Sequence, residues 1–375
     1  MSLTKATNLT VDELYFPTGK ISEFTSTMPT GWLQLLGTNV SRTTYSALFS
    51  KIGTLYGAGD GVTTFTLPSL LSFLVLFGAG SPLPAARYYH TASVLSDGRI
   101  LVTGGMDGAA VRAETYFGTI VGNNIVWVSG TSLPAIRYYH TASVLSDGRI
   151  LVTGGDDGAG TRAETYFGTI VGNNIAWVSG TALPLGRRSH TTSALPDGRI
   201  LVAGGTDGVI RRAETYFGTI AGNAITWVSG TPLPETRNVH TASTLSDGRV
   251  LIIGGYISGE ETATTRFGTI VGDTITWVAG TPLLEGRDYH TASILSDGRI
   301  LVTGGYDGAA VRAETYFGTI AGNAITWING TSLPVVKRHH TASILFDGRV
   351  LITGGGVGTG ITTFFGSVAR WGIRT

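Results

Sequence analysis

The side chains best suited to chemistry recur at a fixed spacing. A histidine stands at 90, 140, 190, 240, 290 and 340, each three residues after an arginine or lysine at 87, 137, 187, 237, 287 and 337. Six imidazoles at one repeat position invite a metal-centre reading, because neutral imidazole is the commonest metal ligand. Glu114, Glu164, Glu214 and Glu314 also repeat, each two residues after Arg112, Arg162, Arg212 or Arg312. Carboxylates could serve acid–base chemistry. In the fourth unit, however, both positions change together, to Thr262 and Thr264. Joint loss reads as a structural pair that interacts directly or through a shared neighbour, and if exposed such a pair contributes only ~0–1 kcal/mol. There is no cysteine, which removes disulfides, thiolate nucleophiles and cysteine-based zinc sites together. No Ser-His-Asp arrangement, phosphate loop or uniquely placed acid pair stands out from the repeat background. The chain therefore reads as a non-enzyme.

The elements that position these residues follow from the repeat. Units begin at 87, 137, 187, 237, 287 and 337, the last truncated. A period near 50 residues is the size of a propeller blade or a solenoid unit. Within the first unit, HTASVL and RILVTGG flank Asp97-Gly98, and RAETYFGTIV and NIVWVSG flank Gly122-Asn123, two dipeptides suited to tight hairpin turns. Four strands per unit follow. Ile100-Leu101-Val102 is continuously apolar, as expected of a strand covered on both sides. The order RxxH, DGR, a β-branched run into Gly104-Gly105, Tyr116 and then Trp127 resembles the Kelch motif. That family folds as a β-propeller, so six copies imply six blades. In such a ring the histidines sit one per blade around a wide channel, too far apart to share an ion at ~2.0–2.1 Å Zn–N distances. They read as structural, bonding backbone near the channel, with no metal and no cofactor. Kelch copper oxidases rely on a Tyr–Cys cross-link, excluded here, and no sialidase-type Asp box occurs.

Composition bounds the remainder. The chain has 375 residues, 42% hydrophobic, with 55 glycines, 14% charge and a formal net charge of +1. It can bury more than one core. Nothing in the charge favours nucleic acid or an anionic membrane. The greasiest run, near Leu70–Phe77, is too short to span a bilayer, and a soluble, non-secretory chain is expected. Residues 1–18 read as a polar attachment arm. From 19 to 79 the residues change character. Gly31-Trp32, Ser41-Arg42, Tyr45, Leu48-Phe49, Tyr56-Gly57, Gly59-Asp60-Gly61, Thr63-Thr64-Phe65 and Leu67-Pro68, in that order, resemble the phage tail-collar domain. Ser41 is placed to cap a helix with Tyr45, Leu48, Phe49 and Ile52 on its inner face, and Thr63–Leu67 is strand-like. The opening MSLTKATN is similar to that of some phage tail proteins. Where the family carries a charged segment after Leu67-Pro68, this chain is apolar through Leu74–Phe77, a stretch expected to pack on the propeller. ARWGIRT at the C-terminus aligns with IVWVSGT and puts Trp371 on Trp127, so the C-terminus is expected to close the sixth blade, with Leu74–Phe77 as the rival. The expected architecture is mainly β: a six-bladed Kelch-type β-propeller over 80–375 behind a small α+β tail-collar domain.

Comparison of the repeats locates a candidate surface. Units one and two differ at seven of fifty positions. Six of these fall between the second and third strands or in the link between blades. DGR, in contrast, occurs in all six units. The RxxH segment runs RYYH, RYYH, RRSH, RNVH, RDYH and KRHH, and both variable segments share one face of an up-and-down ring. Loops on a rigid scaffold are where binding residues concentrate. Tyr88, Tyr89, Tyr138, Tyr139, Tyr256, Tyr289 and Tyr306 are rigid amphipathic platforms of the kind that anchor recognition. Asp156, Arg188, Asn238, Asp288, Arg338 and His339 supply polar contacts between them. A collar joined to a propeller resembles a phage tail fibre or receptor-binding protein. The resemblance implies baseplate or tail proteins as partners, a host-surface glycan (or a protein receptor) as ligand, a homotrimer, and a place in the virion after assembly in the host cytoplasm. No nucleic-acid partner or membrane insertion is expected. A tail fibre of a bacterial contractile injection system and a purely structural tail component are the alternatives.

Overall fold

The protein is seen in a computed structural model that describes residues 3–6, 21–24, 32–34, 39–54, 58–67, 75–356, 360–368 and 370–374. It divides into two compact units, one of Phe77–Phe346 with Val350–Phe365, the other of Met1–Leu76, Asp347–Arg349 and Gly366–Thr375.

The larger unit is a six-bladed propeller. Blade one is antiparallel, Thr91–Val94, Ile100–Thr103, Thr115–Val121 and Asn124–Ser129 in spatial order. The next four blades repeat it fifty residues apart. The continuous apolar run of the second strand is explained by packing on both sides. Leu101 joins Phe117 and Leu133 against Ile150 and Val152 of the next blade. Ile100 and Val102 face the other way, onto Leu345 and Leu351 of blade six. All three are fully buried, and each such side chain contributes roughly 1.5–3 kcal/mol of burial. The ring closes where Ser343 Oγ donates to Ala92 O at 3.5 Å. The third strand begins at Thr115 rather than Arg112, so Arg112 and Glu114 lie in the connection before it.

The sixth blade corrects the expected closure. Its strands are Thr341–Ile344, Val350–Thr353 and Thr363–Val368, and its outer strand is Val75–Ala79. Val75 is fully buried. Arg370–Arg374 instead pairs antiparallel with Ile21–Phe24 and Trp32–Gln34. The alignment on Trp371 missed this because any amphipathic strand can fill an outer edge, where one partner and one packed face suffice.

The invariant turns have a structural cause. Arg149 donates from Nε to Asp147 within its own turn (2.7 Å). It also reaches Gly222 O (2.8 Å) and Asn223 Oδ1 (2.9 Å) in the second tight turn of the next blade. Its guanidinium stacks 4.6 Å from the Phe167 ring centre. Arg99, Arg199 and Arg249 make the same bridge. These four arginines thus tie blades one to five in sequence, which accounts for DGR in those turns without any ligand.

In the smaller unit, Leu3–Ala6 runs parallel to Ile21–Phe24, so part of the expected arm is a sheet strand. Asn39–Ser41 pairs with Thr64–Thr66. The helix spans Ser46–Ile52 and buries Leu48 and Ile52 against Phe65 and Leu67, with Tyr45 and Phe49 beside them. The inner face is as expected. The cap is not: Ser41 ends a strand, and its hydroxyl accepts from Thr44 N (3.2 Å) in a preceding turn, while Tyr45 starts the helix without a side-chain cap. Asp60 closes the next turn by accepting from the amides of Val62, Thr63 and Thr64, and the Thr63 hydroxyl holds its carboxyl well below the usual range. Tyr56, Gly57, Pro68 and the stretch through Leu74 lie outside the described residues.

Candidate recognition site

Each RxxH segment is locked before it reaches the surface. The leading Arg or Lys is buried in every blade. Arg137 Nη1 donates to Gly154 O (2.7 Å), and Lys337 Nζ to Gly354 O (2.7 Å). Gly105 N of one blade donates to Arg137 O of the next (2.7 Å). Gly104 has φ +56, and a Cβ there would lie 2.5 Å from Arg137 O. Only glycine permits that approach at that backbone angle.

The repeat histidines are fully buried and join adjacent blades. Thr103 Oγ1 meets His140 Nε2 at 2.9 Å, Thr153 meets His190 at 2.9 Å, and Thr303 meets His340 at 2.8 Å. Their partners are threonine hydroxyls, not the backbone anticipated from sequence. Burial, aided by the neighbouring Arg137, pushes His140 down to about 3. A neutral imidazole whose Nε2 is committed to a hydroxyl is a structural bridge.

The residue before each histidine stands at the axial mouth. Tyr89, Tyr139, Ser189, Val239, Tyr289 and His339 all have left-handed φ, between 49° and 57°. For non-glycine residues this costs about 1–3 kcal/mol and persists only when the surroundings impose it. The cause is a run of backbone bonds between neighbouring blades, from blade five through six, one, two and three to four. His339 N donates to Tyr289 O (3.2 Å), Tyr89 N to His339 O (3.4 Å), Tyr139 N to Tyr89 O (3.1 Å), Ser189 N to Tyr139 O (3.1 Å) and Val239 N to Ser189 O (3.0 Å). Their side chains meet over a depression of about 160 Å³ that the six histidines also line. Tyr89 lies 4.0 Å from Tyr139 and 4.0 Å from His339, ring centre to ring centre, and Tyr289 lies 4.1 Å from His339. Burial raises the Tyr139 and Tyr289 phenols, and pushes His339 down to about 3.

The residue before that turns outward and pairs with the loop between the second and third strands. Isolated antiparallel bridges join Tyr88 to Met106, Tyr138 to Asp156, Arg188 to Thr206, Asn238 to Tyr256 and Asp288 to Tyr306. In the first five repeats both variable segments therefore form one surface around the mouth. All thirteen residues singled out from the sequence lie there. Eleven are half-buried, and Asp156 and Asp288 are buried. Asp156 is paired with Arg188 (2.7 Å), which leans over Tyr139. Arg338 stacks over Tyr306 at 5.3 Å. Asp288 is pushed up to about 7, chiefly by burial and then by Glu261, with Arg338 opposing. Sequence reading passed over Arg211 within the variable second loop; the structure stacks it 4.9 Å over Tyr256 of the next blade. It also passed over Ser189 and Val239, whose small size matters only once the ring is assembled.

The repeated Arg and Glu are explained here too. Arg112 Nε donates to Asp107 (2.7 Å) and so latches the variable loop, while Glu114 lies 3.3 Å from the buried Arg87 and 3.9 Å from Arg112. They approach each other directly, and each also holds a partner of its own. Where blade four loses them, Arg237 bonds Thr264 Oγ1 (2.7 Å) and Glu235 (3.2 Å) instead.

Comparison with known proteins bears on both units. Residues 19–73 match the Phage Tail Collar Domain, which indicates a phage tail component. The solved structure described as "Structure of YjhT" is similar at 14% identity and a TM-score of 0.62, covering 76% of this chain and 95% of that one. That likeness concerns the propeller fold alone. No curated protein matches the chain. A tail collar joined to a six-bladed propeller fits a fibre protein.

Proposed function

We propose that this chain is a phage tail fibre that binds a host-surface receptor, a glycan in the first instance, through the variable face of its propeller. The N-terminal region attaches to baseplate or tail proteins, and the protein, assembled in the host cytoplasm, works on the virion at the host surface. Many collar-bearing fibres are trimeric, and a trimer is part of the proposal. What supports the reading is a division of labour between the two faces. The DGR turns spend their side chains on blade-to-blade bonds. The opposite loops carry the sequence variation and gather tyrosine, arginine, aspartate and histidine around one mouth. Aromatic platforms with polar tips suit a ligand that offers both C–H faces and hydroxyls. A single weak site suffices, because several copies on one particle raise avidity ~10²–10⁴-fold. The test is competition: host cells are incubated with purified full-length chain before virions are added. Blocked adsorption is expected. Undiminished adsorption at saturating protein removes the receptor role.

A further inference from the structure

The six repeats do not fill the axial mouth evenly. Four neighbouring blades, five, six, one and two, supply Tyr289, His339, Tyr89 and Tyr139, whose rings pack together. Blades three and four supply Ser189 and Val239 at the same backbone angle. The axis is thus closed by rings on one side and left with two small side chains on the other. Resting on the receptor-binding reading, we propose that one sugar ring of the receptor sits off the axis, over Ser189 and Val239, oriented by Asn238 and Arg211.

Three further observations bear on blades three and four, although buried unpaired atoms also occur across the mouth at Asp288 and His339. Asn238 Oδ1 and Arg211 Nε are buried without a hydrogen-bond partner. Both neighbour Tyr256, since Asn238 pairs with it through the backbone and Arg211 lies over its ring. An amide oxygen needs a donor and a guanidinium N–H needs an acceptor. A hydroxyl group offers both, so a polyhydroxylated ligand meets the two demands with one kind of group. Arg211 forms no ion pair among the described residues, in contrast to Arg188 on Asp156. Lastly, the loop tip preceding Arg211 carries Val209 and Ile210, 89% and 52% exposed. Blades one, two and five have Ala109-Ala110, Ala159-Gly160 and Ala309-Ala310 there. An apolar lip beside unpaired polar atoms suits a pyranose, whose C–H face and hydroxyls lie on different sides.

The repeat supplies its own control for the test. Tyrosine occupies this backbone position in blades one, two and five at φ 56°, 54° and 49°, against 54° and 50° at Ser189 and Val239. The double variant Ser189→Tyr, Val239→Tyr therefore fills the gap with a side chain the site already accepts, and an unchanged melting curve verifies folding. Full-length wild type, this variant and Asn238→Ala are each mixed with methyl glycosides of glucose, galactose, N-acetylglucosamine and rhamnose, and saturation-transfer NMR reads contact. At least one glycoside is expected to receive saturation from wild type. The filled variant should lose at least about tenfold in affinity, and Asn238→Ala about five- to tenfold. No transfer from wild type to any glycoside at tens of millimolar, or equal transfer from the filled variant, overturns the site. The adsorption assay separates the two claims. If wild type and the filled variant both block virions, the off-axis site is wrong and receptor binding stands. If wild type does not block, both fall.

Discussion

Two residues show how local demands set measurable properties. Gly154 has φ +58, and a Cβ would fall 2.5 Å from Arg187 O and 2.7 Å from His190 Cε1. Gly222 has nearly the same angle, φ +61, with nothing within 4 Å. Gly222→Ala should therefore lose about 1 kcal/mol through backbone strain alone, and Gly154→Ala clearly more, because the inter-blade bond must also give. Equal shifts in chemical denaturation would mean the close approach carries no weight. Asp288 gives a pH signature. Its carboxyl, raised to about 7 mainly by burial, is favoured in the protonated form by the fold. Its contribution is complete below the ordinary carboxylate pKa and is lost as pH rises toward 7. His90, His140 and His290, pushed down to about 3, act oppositely and withdraw stability as pH falls below about 6.5. The chain should thus be acid-sensitive, and Asp288→Asn should gain in melting temperature over wild type as pH rises from 4 to 7. A difference independent of pH would mean that Asp288 ionises normally.

At the scale of elements, the strand that completes blade six carries the clearest prediction. Val75 sits fully buried in an outer strand that follows the collar region in sequence, while the C-terminal strand pairs elsewhere. Val75→Asp places an unpaired charge in that sheet, and hydrogen exchange at Val350–Thr353 and Thr363–Val368 should accelerate strongly. Deleting residues 370–375 should leave those amides protected. The reverse result would restore the C-terminal closure. Most of the blade was legible beforehand, since Asp-Gly and Gly-Asn turns between apolar runs dictate hairpins and the uninterrupted Ile100-Leu101-Val102 dictates cover on both sides. The closing strand was not, because Val75–Ala79 and Arg370–Arg374 are both plausible edges, and only long-range pairing decides between them. The Ser41 cap failed for a related reason: its hydroxyl had a nearer amide, Thr44, to bond.

For the molecule as a whole, repetition made the architecture readable and variation within it made one face readable. The thirteen residues chosen by comparing repeats all fall on that face. The depression's asymmetry was hidden, because the significance of Ser189 and Val239 depends on the four rings opposite. The histidines' threonine partners were hidden as well, being contributed by the preceding blade. The most direct test of the account compares full-length wild type with two variants as competitors of virion adsorption. Tyr138→Ala with Tyr139→Ala alters the variable face, and Arg149→Ala alters the opposite turn. Wild type and Arg149→Ala should block adsorption alike, with the tyrosine variant folded but at least about tenfold weaker. A folded tyrosine variant that blocks as well as wild type, or an Arg149→Ala variant that alone fails while folded, would contradict it.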